Sequence, residues 1–117
     1  MSREELNRRT KKFALDMVQL VEELPRGRTT DVIGNQLLRS ATSVGANYRA
    51  ACRAKSAAHF VSKLGDEEET DECLYWMELI RDGNKVSPES VAALIKEANE
   101  ILSIVIAAIR TTRQSNK

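Results

Sequence analysis

Helix breakers are scarce in this chain, with two prolines and five glycines in 117 residues. That composition excludes a loop-rich sandwich and points to long helices. Cysteine is nearly absent as well. Cys52 and Cys73 stand alone, without CxxC or CxxH spacing, so neither a disulfide framework nor a zinc site is indicated. Each thiol falls inside a helical pattern and reads as a small buried apolar group. A single histidine, His59, cannot supply the paired Glu-x-x-His motifs of a di-iron bundle. No GxSxG elbow and no glycine-rich phosphate loop occur, which removes two common signatures of nucleophilic catalysis and nucleotide binding. Five aromatic side chains are too few for a base-stacking platform. The longest apolar run, Ile104–Ile109, is far too short to cross a bilayer, and the polar start MSREELNRRTKK is not a secretory signal. These absences lead us to expect a cytoplasmic protein that is not an enzyme and uses no cofactor, metal or small-molecule substrate.

What the chain has in abundance is charge and helical periodicity. Charged residues make up 30% and apolar residues 42%, with a formal net charge of +1. The length fits one domain over residues 1–117, enough to bury a core without staples. Near-neutrality leaves no strong global field to steer the chain to nucleic acid or membrane. The charge is unevenly placed, however. Residues 1–55 hold eleven Lys/Arg against six Asp/Glu, whereas residues 57–82 hold two against eight. A basic first half facing an acidic third helix, within or between subunits, is the expected use of that asymmetry.

The punctuation predicts an all-α, antiparallel up-down-up-down four-helix bundle, with helices over about 3–24, 31–54, 57–82 and 88–113. Ser2 and Glu5 form a capping box, and Pro25 ends the first helix. Thr29 or Thr30 can cap the second, whose Gly34, Ser40, Ala41, Ser43, Gly45, Ala46 and Ala50 make it unusually small-sided. Two internal glycines there point to close approach of another backbone, with surface tolerance as the alternative for one of them. Ser56 is the expected cap of the third helix and Gly83 its left-handed stop. The fourth opens with Ser87 as cap and Pro88 in the first turn.

Three sets of residues are candidates for function. Arg8, Arg9, Lys11 and Lys12, with Arg3, lie along the first helix and Arg39, Arg49, Arg53 and Lys55 along the second, a basic patch able to meet phosphates or an acidic partner. Asp66, Glu67, Glu68, Glu69, Asp71, Glu72 and Glu78 crowd the third helix and read as a solvated face rather than a metal site. The stretch GDEEETDE holds no large apolar residue. A structural polar layer is therefore expected in which Arg39, Ser43 and Asn47 meet Glu68, Asp71 and Glu72. Tyr75-Trp76 reads as a packing pair with a polar handle. The run ILSIVIAAI is apolar nearly all round, so Ile101, Leu102, Ile104, Val105, Ile106 and Ile109 are expected at an oligomer interface.

At QLLRSATSVGANYRAA, with Ser56 and Phe60 following, and at Lys63-Leu64 through Glu72 to Tyr75-Trp76-Met77-Glu78-Leu79, the sequence resembles the small four-helix bundle proteins of intervening sequences in bacterial 23S ribosomal RNA genes. The resemblance covers nearly the whole chain. It implies an antiparallel four-helix bundle assembled as a homopentameric ring, and it does not imply an enzyme. Relatives include the accessory protein of diversity-generating retroelements, a basic pentamer that binds a reverse transcriptase and nucleic acid; this chain differs in being nearly neutral. The expected function is a non-enzymatic oligomeric scaffold or accessory protein assisting an RNA-handling partner. The alternative is a direct RNA- or DNA-binding module using the basic faces of helices one and two.

Overall fold

Five helical segments, α1 Arg3–Glu22, α2 Arg28–Cys52, α3 Ala57–Lys63, α4 Asp66–Asp82 and α5 Pro88–Ser115, make up the chain in a computed structural model. It describes residues 1–115 and, for Asp66 and Glu67, the backbone alone. Segments α3 and α4 share the place of the expected third helix, so the all-α bundle stands with one helix broken. Contacts between helices give their directions. Gly45 lies against Thr10 while Gly34 lies against Val21 and Leu24, so α1 and α2 run oppositely. Ser40 meets Cys73 while Asn47 lies beside Gly65, so α2 and α4 do the same. Helices α1 and α4 stand on the diagonal, with α2 and α5 between them. The bundle measures 49 × 21 × 21 Å.

Each helix end has a local cause. The Ser2 hydroxyl accepts the Glu5 amide at 3.1 Å, and the Ser56 hydroxyl accepts the His59 amide at 3.1 Å. Helix α1 stops at Glu22, short of the expected end, because Pro25 disfavours helical backbone at Leu24. Helix α2 begins at Arg28, earlier than expected. Gly27 takes the cap position in extended backbone, and Thr29 and Thr30 fall inside the first turn. The left-handed stop of α4 is Asn84, at φ 58°, rather than Gly83. The Lys85 amide donates to the Ile80 carbonyl at 2.8 Å and the Asn84 amide to Arg81 at 3.1 Å, a Schellman pattern. Gly83 serves space instead: a Cβ there would stand 2.9 Å from the Leu79 carbonyl oxygen. The Ser87 hydroxyl ahead of α5 pairs with that of Ser90 at 2.7 Å.

The break between α3 and α4 corrects the expected continuous helix over 57–82. Leu64 leaves helical backbone, at φ −85° and ψ 62°, and buries its side chain. The chain restarts with Thr70, Cys73, Leu74, Met77 and Ile80 turned inward. GDEEETDE cannot continue an apolar stripe, so the chain anchors Leu64 and sets a new face after it.

The core draws on every long helix. Phe13, Met17, Leu37, Val44, Met77, Ile80, Ile101 and Val105 are fully buried. Side chains of this size contribute about 1.5–3 kcal/mol each on burial. Burial pushes the Cys73 thiol up to about 12, and its Sγ donates to the Ser40 hydroxyl at 3.3 Å. Among the described residues, no helix is long and apolar enough to cross a membrane.

Candidate interaction surface

A groove of about 600 Å³ runs between α1 and α2 on the outside of the bundle. Its floor is Ala14, Thr42, Gly45, Ala46 and Ala50, with Asn7 and Thr10 beside them. The small side chains let the helices approach closely: a Cβ on Gly45 would lie 3.5 Å from the main-chain carbon of Thr10. Four cations line the walls, Arg8 and Lys11 from α1, Arg49 from α2 and Arg53 just past its end, and no carboxylate joins them. All four side chains are exposed, and none has an ion-pair partner among the described residues. The spacing Arg49 to Arg53 is one helical turn, as is Arg8 to Lys11, so each wall presents its pair of charges on one face.

The other four basic candidates are placed elsewhere. Arg9 turns to α5, where Nε and Nη2 bind Glu97 at 2.7 and 2.5 Å and Nη2 also binds Glu100. It is 23% exposed, and the Glu97 bond holds its guanidinium well above the ordinary pKa. Lys12 pairs with Asp16 one turn on, at 2.6 Å. Arg39 pairs with α4. Lys55 sits in the α2–α3 connection, at an end pocket shared with Arg3, Phe60 and Thr112. Neighbouring arginines thus have different duties, Arg8 facing the groove and Arg9 clipping α1 to α5. The Glu97 and Glu100 partners were missed in the sequence; their three-residue spacing on one helix face was the available signal.

The expected polar layer forms only in part, and it is not buried. Arg39 binds Glu72 at 2.5 Å and Glu69 at 3.4 Å, yet its side chain is 49% exposed. Glu68 and Asp71 point to solvent. The Ser43 hydroxyl turns back to the Arg39 carbonyl at 2.8 Å, and the Asn47 amide lies beside Gly65. The restart of α4 causes this. With Thr70, Cys73 and Met77 inward, positions 68 and 71 turn outward, where charges keep their water. The Arg39 guanidinium holds the Glu72 carboxyl below the usual range, and the Trp76 indole N–H adds a bond at 3.2 Å. Asp66 and Glu67, in the expected acidic cluster, lie outside the described side chains.

On the outer face of α4, Glu68, Asp71, Tyr75, Glu78 and Asp82 are all exposed. Their alternating steps of three and four put them in one stripe. Tyr75 is 55% exposed and meets Trp76 edge to face at 5.2 Å. The α5 interface set divides. Ile101, Val105 and Ile109 are spent on the chain's own core, leaving Ile106 exposed and Leu102 and Ile104 half-buried at the surface. The run is apolar on more sides than the core needs, but only its flanks are open to a partner.

Two comparisons with known proteins bear on these surfaces. Residues 4–107 match the family described as 23S rRNA-intervening sequence protein. A crystal structure from Bacteroides thetaiotaomicron, of a protein with unknown function from the S23 ribosomal protein family, is 32% identical with a TM-score of 0.86; the alignment covers 94% of this chain and 99% of that one. No curated protein matches.

Proposed function

This chain belongs to the 23S rRNA-intervening sequence protein family, and we propose that it acts as a non-enzymatic scaffold, assembled from copies of itself and assisting an RNA-handling partner in the cytoplasm. The carrying observation is the unlike character of its outer sides. One side is a groove walled by four cations, and the other is a carboxylate stripe around a half-exposed tyrosine. A rigid rod with complementary outer sides is built to associate, and head-to-tail contact joins two different faces. The resemblance adds the ring of five. Half-buried Leu102 and Ile104 and exposed Ile106 supply further apolar surface for such contacts.

A second reading, direct binding of RNA or DNA in the α1/α2 groove, is favoured by the four cations there. Each phosphate contact would release counterions and weaken with salt. Light scattering coupled to size exclusion tests the scaffold reading, with a mass of several chains expected. A titration with structured RNA and duplex DNA at two salt levels tests the alternative. Flat, weak binding at both levels removes it.

A further inference from the structure

We infer that α3 is a lid over one end of the bundle, latched by Arg3, and that it lifts as a unit while the four long helices stay folded. One cavity is lined by Arg3, Ala51 and Thr112, so α1 starts where α2 and α5 finish. Helices α2 and α5 occupy the second diagonal of the bundle. Segment α3 packs on both, so it crosses that end from corner to corner. Phe60 and Val61 pack against the core from this position.

The lid is loosely held. No side chain of its seven residues is fully buried. Ala57, Phe60 and Val61 are half-buried, and the others are exposed. Cavities of about 310 and 290 Å³ lie beside it, and Ala57 and Thr112 border both, so α3 meets α5 between two voids. A well-packed interior has few spaces larger than a water molecule. Seven residues are also too few to hold a helix without docking. The Arg3 guanidinium lies 5.7 Å from the centre of the Phe60 ring, a cation–π contact that ties the lid to α1.

The chain is hinged and pinned on both sides of α3. Arg53 ends α2, and Leu64 leaves helical backbone at φ −85° and ψ 62°. Ala51 ahead of the first hinge is 1% exposed, and Leu64 at the second is 2% exposed. Both stay in the core, so α3 can leave without drawing α2 or α4 with it. Segments with few buried apolar contacts open locally, apart from the global transition. Lifting merges the two cavities and opens the end of the core to solvent. The lid goes beyond the scaffold reading and does not depend on it.

Amide hydrogen exchange of the full chain, followed by NMR at one fixed protein concentration, tests the lid. The Phe60 amide donates to the Ser56 carbonyl at 2.9 Å and the Leu64 amide to the Phe60 carbonyl at 3.0 Å, so both report its opening. Corrected for intrinsic rates, both should exchange at least about a hundredfold faster than the core amides of Val44 and Val105. Ile80→Val trims a buried side chain of α4 and should speed the core amides about two- to tenfold while leaving the lid amides unchanged. Phe60→Ala should speed all amides of residues 60–64 by one common factor of about ten. Arg3→Ala should speed them about two- to fivefold. Lid amides that exchange at the core rate, or that accelerate with the core in Ile80→Val, show that α3 opens only with the whole fold and overturn the inference. Unequal factors across residues 60–64 in Phe60→Ala indicate fraying in place of a lid and overturn it too. Unchanged lid exchange in Arg3→Ala overturns the latch.

Discussion

Arg8 and Arg9 are adjacent, yet alanine should cost stability at Arg9 and almost none at Arg8. Arg9 donates to Glu97 through two nitrogens and to Glu100 through one, tying α1 to α5 across 88 residues of sequence. Charge-assisted bonds of this forked kind are the stronger class. Glu97 and Glu100 keep 27% and 48% of their side-chain exposure, so solvent screens part of the gain. Discounted for that, Arg9→Ala should cost about 1–2 kcal/mol, above the usual surface pair. In a chain of this size that is a fall of roughly 4–8 °C in melting temperature. Arg8 makes no such bond, and Arg8→Ala should lie within about 0.5 kcal/mol of wild type. Thermal melts at one fixed protein concentration, with Glu97→Ala and the Arg9/Glu97 double variant, complete a cycle that isolates the pair. Added salt should shrink the Arg9 effect. If Arg9→Ala melts with Arg8→Ala, the clip contributes nothing and the reasoning is refuted.

Other substitutions probe the packing and the titrating groups. A methyl on Gly45 would meet Thr10 atoms at 3.4–3.5 Å, ordinary contact, so Gly45→Ala should gain up to about 1 kcal/mol in urea unfolding from helix propensity, whereas Gly45→Leu should lose stability. The buried Thr70 hydroxyl has no hydrogen-bond partner among the described residues, so Thr70→Val should stabilise by about 1 kcal/mol; a loss would reveal a bond. Glu72 is held below its ordinary value of 4.5 in the folded state, so its pairing stabilises above that value and is lost as pH falls through the lower, folded one. Glu72→Gln should flatten the acid limb of the urea midpoint against pH; an unchanged slope would place the effect elsewhere. Burial and a thiol pKa of about 12 should protect Cys73 from a thiol reagent until the chain unfolds, while half-buried Cys52 reacts first.

Much of this architecture was legible in the residues, and the departures have physical causes. Ser2 and Ser56 announced their helices because a cap is a local bond. The break at Leu64 was less visible. The acidic stretch signalled a failed stripe, but whether a helix bends, solvates its carboxylates or restarts depends on where Leu64 can be buried. Asn84 rather than Gly83 takes the left-handed conformation, while Gly83 keeps clear of the Leu79 carbonyl one turn back, a local choice between two adjacent residues that residue type alone did not decide. The basic candidates split for a similar reason. Helical spacing placed Arg8 and Arg9 on neighbouring faces, but only packing decided that one meets α5 and the other a groove. Small residues on α2 predicted close approach to another backbone, and Thr10 of α1 supplies it.

The central claim is that this bundle works as an assembly joined by unlike charged faces. Sedimentation equilibrium of the wild-type chain over a range of concentrations, at low and high salt, tests it most directly. The expected result at low salt is a single species of about five times the 13.1 kDa chain mass, dissociating toward the monomer as salt screens the contact. A stable multimer of another size would remove the ring of five but keep the assembly. A mass of one chain at every concentration and both salt levels would contradict the account.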